Sequence, residues 1–193
     1  KNWNYWGKPV PGFGGIDSKI IILGLAPAAH GGNRTGRVFT GDRSADFLFK
    51  CLYKVGFANQ SKSTDKEDGL QLKNLYLTTA LKCVPPEDKP TSQELKTCFQ
   101  YFRNEIKYLS NANTIVALGK IAFDACLNFY KEDYSLIMKN YTFKHGCKYL
   151  LPDKKILVGS YHPSPRNVNT GRINEIKMIN LLKNVKKLLK ENE

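Results

Sequence analysis

The sequence predicts an α/β domain, a mainly parallel sheet with helices on both sides. Three observations point to it. Four apolar runs of strand length recur along the chain, helical periodicity fills the intervals, and 193 residues suit one domain but not two. A hydrophobic fraction of 41% with 24% charged residues fits a folded chain rather than a disordered one.

The runs are Lys19 to Leu25, Leu75 to Leu81, Thr114 to Leu118 and Ile156 to Ser160. Each is nearly continuous, as strands buried on both faces require. Between them, Ser44 to Val55 sets Phe47, Leu48, Cys51 and Leu52 on one helical face, and Gly56 supplies the stop. A second helix opens at Thr91, whose partner Glu94 completes a capping box, and carries Leu95, Phe99, Phe102, Ile106 and Leu109 at helical spacing. Lys120 to Tyr130 and Asn174 to Leu189 are the third and fourth helices, the last with a wet lysine face. Gln60 to Gly69 is polar and charged and reads as an exposed, mobile loop.

Composition limits the partners. Thirty Lys and Arg against 17 Asp and Glu leave a net charge of +13, which favours a polyanion. The apolar runs are too short to span a bilayer, so a soluble, cytoplasmic protein without membrane contact is expected. Five scattered cysteines argue against a secreted disulfide scaffold. The chain opens at Lys1 with neither a methionine nor a charged-then-apolar leader, so no secretion signal is expected and a segment upstream of residue 1 is.

In a parallel sheet the chemistry lies beyond the carboxyl ends of the strands. After the first strand the chain reads GLAPAAHGGNRTGRVFTGD, from Gly24 to Asp42, too rich in glycine for a core and carrying His30, Asn33, Arg34, Arg37 and Asp42. Small residues let backbone approach a flat ligand, and their N–H groups can grip oxygens. A phosphate-cradling turn is the alternative, although neither the G-x-x-x-x-G-K-[ST] nor the G-x-G-x-x-G pattern is present. After the last strand, SYHPSPRNVNTGR offers His162, Ser164, Arg166, Asn167 and Arg172 on a loop stiffened by two prolines.

These two segments resemble the signature motifs of the family 5 (type b) uracil-DNA glycosylases. The resemblance extends to Tyr5-Trp6, to Pro9–Gly14 and to YLTTALKCVPP from Tyr76 to Pro86, and so covers most of the chain. It implies a three-layer α/β/α sandwich around a four-stranded, mainly parallel sheet, in a single domain over residues 1–193. The implied activity is hydrolysis of the N-glycosidic bond of uracil, and of other deaminated bases, in DNA. The base is flipped from the stack and an abasic site is left. The partner is DNA and the enzyme acts as a monomer.

The resemblance also implies roles. Gly24, Leu25, Ala26, Asn33, Phe39 and Thr79 form the base pocket, with Phe39 stacking on the flipped base; an ordinary core Phe is the alternative. His162 donates to the base carbonyl as charge develops. Asp42 orients water and stabilises the sugar cation, or else merely caps the helix opening near Ser44. Arg34, Arg37, Ser164, Arg166, Asn167 and Arg172 meet DNA, with Arg43 at the same edge.

Several positions depart from related patterns. Ala26 stands where the superfamily often has a water-activating Asp or Asn. Thr79 stands where a neighbouring iron–sulfur family reads uracil with Asn, which suggests a wider base range reaching hypoxanthine. Asp88 stands where the family usually has Asn, either as a solvated charge or as a second catalytic carboxylate. No Lys in the motifs could form a Schiff base, so lyase activity is not expected. Cys83 and Cys98, with fourteen residues between them, resemble half of the family's [4Fe–4S] ligand set; the other pair is expected upstream of Lys1, unless the cluster has been lost. Cys51, Cys126 and Cys147 read as packing thiols. Two other classes stay open: a nucleic-acid-binding module without turnover, and a nucleotide enzyme using the Gly24 loop for phosphate.

Overall fold

The computed structural model describes residues 3–190. Six strands make one sheet: β1 (Phe13–Gly14), β2 (Ile20–Gly24), β3 (Leu75–Thr79), β4 (Thr114–Leu118), β5 (Lys148–Leu150) and β6 (Ile156–Ser160), in the order β1-β3-β2-β4-β6-β5. The four inner strands are parallel and are the four read from the apolar runs. The edges are antiparallel, β1 on β3 and β5 on β6, so the sheet is mixed and six-stranded rather than four-stranded. Both edges are two or three residues long and largely solvent-facing, too short and too polar for a periodic signal.

Alternation along the buried strands builds the two outer layers. Ile20, Ile22, Leu75, Leu77, Val116 and Val158 face one side and join Leu48, Phe49 and Leu52 of α2 (Arg43–Val55) and Leu182 and Val185 of α6 (Glu175–Lys190). Ile21, Leu23, Ile115, Ala117 and Leu157 face the other and join Phe102 and Ile106 of α3 (Ser92–Tyr108) and Phe123, Cys126 and Phe129 of α4 (Lys120–Tyr134). Two more helices stand inside the motif loops, α1 (Gly32–Thr35) and α5 (Pro165–Asn169). The capping box forms as read, with Thr91 Oγ1 accepting from the Glu94 N–H and the Glu94 carboxylate accepting from the Thr91 N–H.

Two features position the site. β3 and β4 flank β2, so the strand order reverses at β2, and a ligand crevice is expected beyond the carboxyl ends of β2 and its neighbours. The segment read as a mobile loop instead props up the first motif. Ser63 is fully buried, Ser63 O accepts from the Gly41 N–H, and the Asp68 carboxylate accepts from the N–H groups of Thr64 and Leu70. Lys62, Asp65, Lys66 and Glu67 stay exposed as expected, but Asp68 finds its partner inside the fold, which composition alone does not reveal. Among the described residues, no helix is long and apolar enough to cross a membrane.

Candidate active site

The floor of the crevice is formed where β2 and β3 end. Beyond the strands the pairing continues, with Ala80 N–H donating to Gly24 O and Leu81 N–H to Leu25 O. A Cβ on Gly24 would stand 2.7 Å from Phe39 Cζ and 3.3 Å from Thr79 Cγ2, so the backbone is bare where the Phe39 ring crosses it. Phe39 holds φ at 49°, a left-handed conformation that costs a bulky residue of order 1–3 kcal/mol and tends to persist where a fixed ring position is needed. Thr79 is 1% exposed, and its Oγ1 is the one buried side-chain oxygen or nitrogen among the described residues without a hydrogen-bond partner. Such an unmet group normally costs about 1–3 kcal/mol. Leu25 and Ala26 are half-buried as the chain leaves the sheet.

Asp42 does cap α2, its Oδ1 accepting from the Ser44 and Ala45 N–H groups at 2.9 and 3.0 Å. Its other oxygen has a different neighbour. A Cβ on Gly31 would lie 2.2 Å from Oδ2, so glycine at 31 is what lets the carboxylate sit against the loop. Burial raises the Asp42 pKa, although the two cap bonds pull it down. The capping reading is therefore seen at Oδ1, while Oδ2 lies against Gly31 and takes no part in the cap.

Arg37 corrects an expectation. It is 4% exposed and points inward, its guanidinium donating to Thr40 Oγ1, Ser63 Oγ and Asp68 Oδ2 while lying over the Phe13 ring. Burial pushes the Asp68 carboxyl up, but Arg37 and the two backbone donors outweigh it and hold it at about 2. Arg37 thus buttresses the loop and is not available to DNA. Arg34 is half-buried, donating from Nε to His30 O with its guanidinium 4.8 Å from the Trp3 ring centroid. Asn33 is half-buried in α1, and its carbonyl accepts from the Trp6 N–H.

On the far side, β6 delivers His162. Burial lowers its pKa to about 4, so the imidazole is neutral at physiological pH. Gly119, at the start of α4 with φ 95°, lies against it: a Cβ there would be 3.4 Å from His162 Cβ. Asn167 and Ser164, both read as DNA contacts, are engaged within the arm. Asn167 Nδ2 donates to His162 O at 2.8 Å, and Ser164 Oγ caps α5 by accepting from the Asn167 N–H. Arg166 and Arg172 are exposed, and Arg172 covers the Tyr161 ring at 4.5 Å. Arg43 and Phe47 of α2 share a cavity of about 180 Å³ with Pro163, Pro165 and Val168. The chain neighbours of Asp42 and His162 thus meet across one space, which puts both residues at the same edge.

Asp88 ends a 3-10 turn, Pro86–Asp88, on the segment leaving β3; its side chain lies outside the described part. Cys83 is exposed and Cys98 half-buried, and the Cys83 pKa is raised by burial and by the proximity of Cys98. Among the described residues no third His, Cys, Asp or Glu joins them as a metal-holding group. Cys51 and Cys126 are buried in the core, and Cys147 is half-buried.

Two supports escape a reading based on periodicity. The strap before β1 clamps the first motif: the Trp6 ring fills the space where a Cβ on Gly36 would stand, at 2.8 Å, and Tyr5 Oη meets His30 Nδ1 at 2.5 Å. Its only signal was the Tyr5-Trp6 resemblance. A buried ion pair, Lys82 with Glu105, also holds Thr78 Oγ1, next to Thr79. Nothing local marks Lys82 as buried, since its partner is on α3.

Comparison with known proteins agrees with this architecture. The family model described as "Uracil DNA glycosylase superfamily" matches residues 11–187. A curated type-5 uracil-DNA glycosylase of Pyrobaculum aerophilum is 42% identical over 173 residues, 90% of this chain and 73% of that protein. The Thermus thermophilus type-5 protein is 41% identical over 184 residues, 95% of this chain and 82% of its own. A type-4 uracil-DNA glycosylase of Thermotoga maritima is similar at 27% over 171 residues, 88% of this chain and 76% of that protein.

Proposed function

The chain belongs to the uracil DNA glycosylase superfamily, in its type-5 family, and from that membership we propose how its crevice works. It is a hydrolase that excises uracil from DNA. The observation that carries the mechanism is the slot formed by Gly24, Phe39 and Thr79: bare backbone, a ring fixed at positive φ and one unmet buried hydroxyl. A flat base entering it stacks on Phe39 and satisfies Thr79 Oγ1, which offsets part of the few kcal/mol needed to unstack the base.

Bond cleavage leaves an oxocarbenium-like sugar and a base anion, so charge develops at both ends. His162, neutral because it is buried, donates a hydrogen bond to the base carbonyl without carrying a charge into the pocket. The free oxygen of Asp42 orients the water and faces the sugar cation, while the capped oxygen fixes the carboxylate in place. Asp88 is a second carboxylate on the neighbouring segment and shares or replaces that role. A hydroxyl both donates and accepts, so Thr79 suits uracil and hypoxanthine alike, and the proposed base range includes both. Arg34, Arg166 and Arg172 take the phosphates.

Cys83 and Cys98 would hold two positions of a [4Fe–4S] cluster, which takes four thiolates. When bound, the cluster supplies a structural tie between α3 and the segment after β3. Glycosidic hydrolysis needs no electron transfer.

The test is incubation with a uracil duplex followed by hot alkali. Strand cleavage at the uracil position is expected. Binding without cleavage would indicate a non-catalytic module, and no binding would remove the reading. Parallel single-turnover kinetics on a hypoxanthine duplex decide the base range, and strict rejection would overturn it.

A further inference from the structure

The arm that carries His162 is held from behind by a segment that no motif covers. Residues 143–147, between α4 and β5, press on the end of β6. A Cβ on Gly159 would fall 2.6 Å from Cys147 Sγ and 2.8 Å from Lys144 O, and the two backbones exchange hydrogen bonds, Gly146 N–H to Gly159 O and Gly159 N–H to Cys147 O. From this segment His145 reaches the residue just before His162. Its Nδ1 accepts from the Tyr161 N–H at 3.2 Å, and its ring stacks on the Tyr161 ring with centroids 5.3 Å apart and planes 25° from parallel. Phe143 meets the same ring edge-on at 6.0 Å.

The Tyr161 N–H is the first beyond the last sheet pairing, Leu118 with Ser160. With no strand to receive it, its acceptor fixes the direction in which the chain leaves the sheet, and hence where His162 stands. Taking the function above as given, we propose that His145 is a positioning residue: its Nδ1 holds the Tyr161 backbone so that His162 is aimed into the base pocket. Asn167 holds the carbonyl end of His162 and His145 the N–H before it, so the backbone that carries the His162 imidazole is held on both sides. Acceptance at Nδ1 requires a neutral ring with the proton on Nε2. Burial, with the Lys177 ammonium nearby, lowers the His145 pKa and favours that form.

The test separates the acceptor from the packing. His145→Asn keeps an acceptor at the Nδ1 position and loses the ring, whereas His145→Phe keeps a ring and loses the acceptor. Single-turnover uracil excision at saturating enzyme is expected to fall about 10-fold or more in the Phe variant and to stay within about threefold in the Asn variant, since small misplacements of a reacting group carry penalties of that order. Affinity for a duplex carrying 2′-fluoro-deoxyuridine, which resists hydrolysis, is expected to stay within about twofold in both. Amide exchange at Tyr161 is expected to speed up in the Phe variant only.

If the Asn variant falls as far as the Phe variant, or rate and affinity fall together, His145 merely packs and the proposal fails. Should the Phe variant not fold, His145→Ala takes its place against Asn under the same criteria. A wild-type chain that leaves uracil intact would overturn the function reading instead; Tyr161 exchange would then judge the contact, and equal exchange in all variants would refute it.

Discussion

The two motif loops have similar compositions but opposite uses of charge. The loop after β2 turns its polar groups inward: Arg37 is buried on Asp68, Arg34 is bonded to His30 O, and one oxygen of Asp42 is tied to the start of α2. The arm after β6 fixes its backbone with Asn167 and Ser164 and leaves Arg166 and Arg172 in solvent. The first loop is a rigid wall, the second a presenting arm. What decides between them is a nearby carboxylate: Asp68 reaches Arg37, whereas no carboxylate among the described residues pairs with Arg166 or Arg172.

The sharpest test of the contrast is His162→Ala. Removing a donor aimed at developing charge is expected to lower single-turnover excision about 10²–10³-fold, the usual loss for such a group. At neutral pH the melting temperature should change little, because the half-buried imidazole is mostly uncharged in the folded and the unfolded chain alike. By linkage, the wild type loses stability as pH falls from about 6.5 towards 4, where only the unfolded chain takes up that proton, and the Ala variant should lose less over that window. Equal acid sensitivity in the two proteins would show His162 to be solvated.

Arg37→Ala probes the wall. Breaking a buried pair leaves Asp68 without its cation, and a loss of about 3 kcal/mol in denaturant unfolding is expected. The salt dependence of DNA binding should be unchanged. Asp68 is held at about 2, so its share of stability is present above the ordinary carboxylate range and is lost as pH falls through about 2. A shallower salt slope in the Arg37 variant would return this residue to the DNA interface.

Asp42→Asn separates cap from catalysis, because Asn also caps well. Excision is expected to drop about 10²-fold with melting unchanged or slightly raised. The sign follows from burial: the ionised form is the costly one in the fold, so removing the charge does not destabilise at neutral pH. For the same reason wild-type activity should decline on acidification above the ordinary Asp range. Asp42→Ala adds loss of the cap, about 1 kcal/mol. If neither Asp42→Ala nor Asp88→Ala, nor the two together, slows excision, the water is oriented by another group.

How much of this was legible follows from where the determining contacts lie. The four inner strands, α2 with its Asp42 and Gly56 caps and the Thr91–Glu94 box were legible because their signals are local. The edge strands were not, being two or three residues of mixed polarity. Arg37 and the Asp68 part of the 60–69 segment were misread for one shared reason. Their partners are 31 residues apart in sequence, and a charged residue looks solvated until its counter-charge is located. His145 and Lys82 belong to the same class, each defined by a contact across elements. Packing, not membership of a motif, separates side chains bonded within the fold, such as Arg37, from those left in solvent, such as Arg166.

The smallest effect belongs to the arm. Arg166 is exposed, stands in α5, and its side chain bonds to no other group among the described residues. Replacing it with Ala leaves the melting temperature where it was, because no buried contact is lost. If its guanidinium meets one phosphate, the slope of log affinity against log salt flattens by roughly 0.9, with little change in the excision rate once substrate saturates. The same substitution at Arg172 should flatten the slope equally but also loosen Tyr161, whose ring that guanidinium covers. A single-turnover rate that falls for Arg172→Ala and not for Arg166→Ala would join the presenting surface to the positioning of His162. Equal behaviour of the two would confine both to phosphate contact.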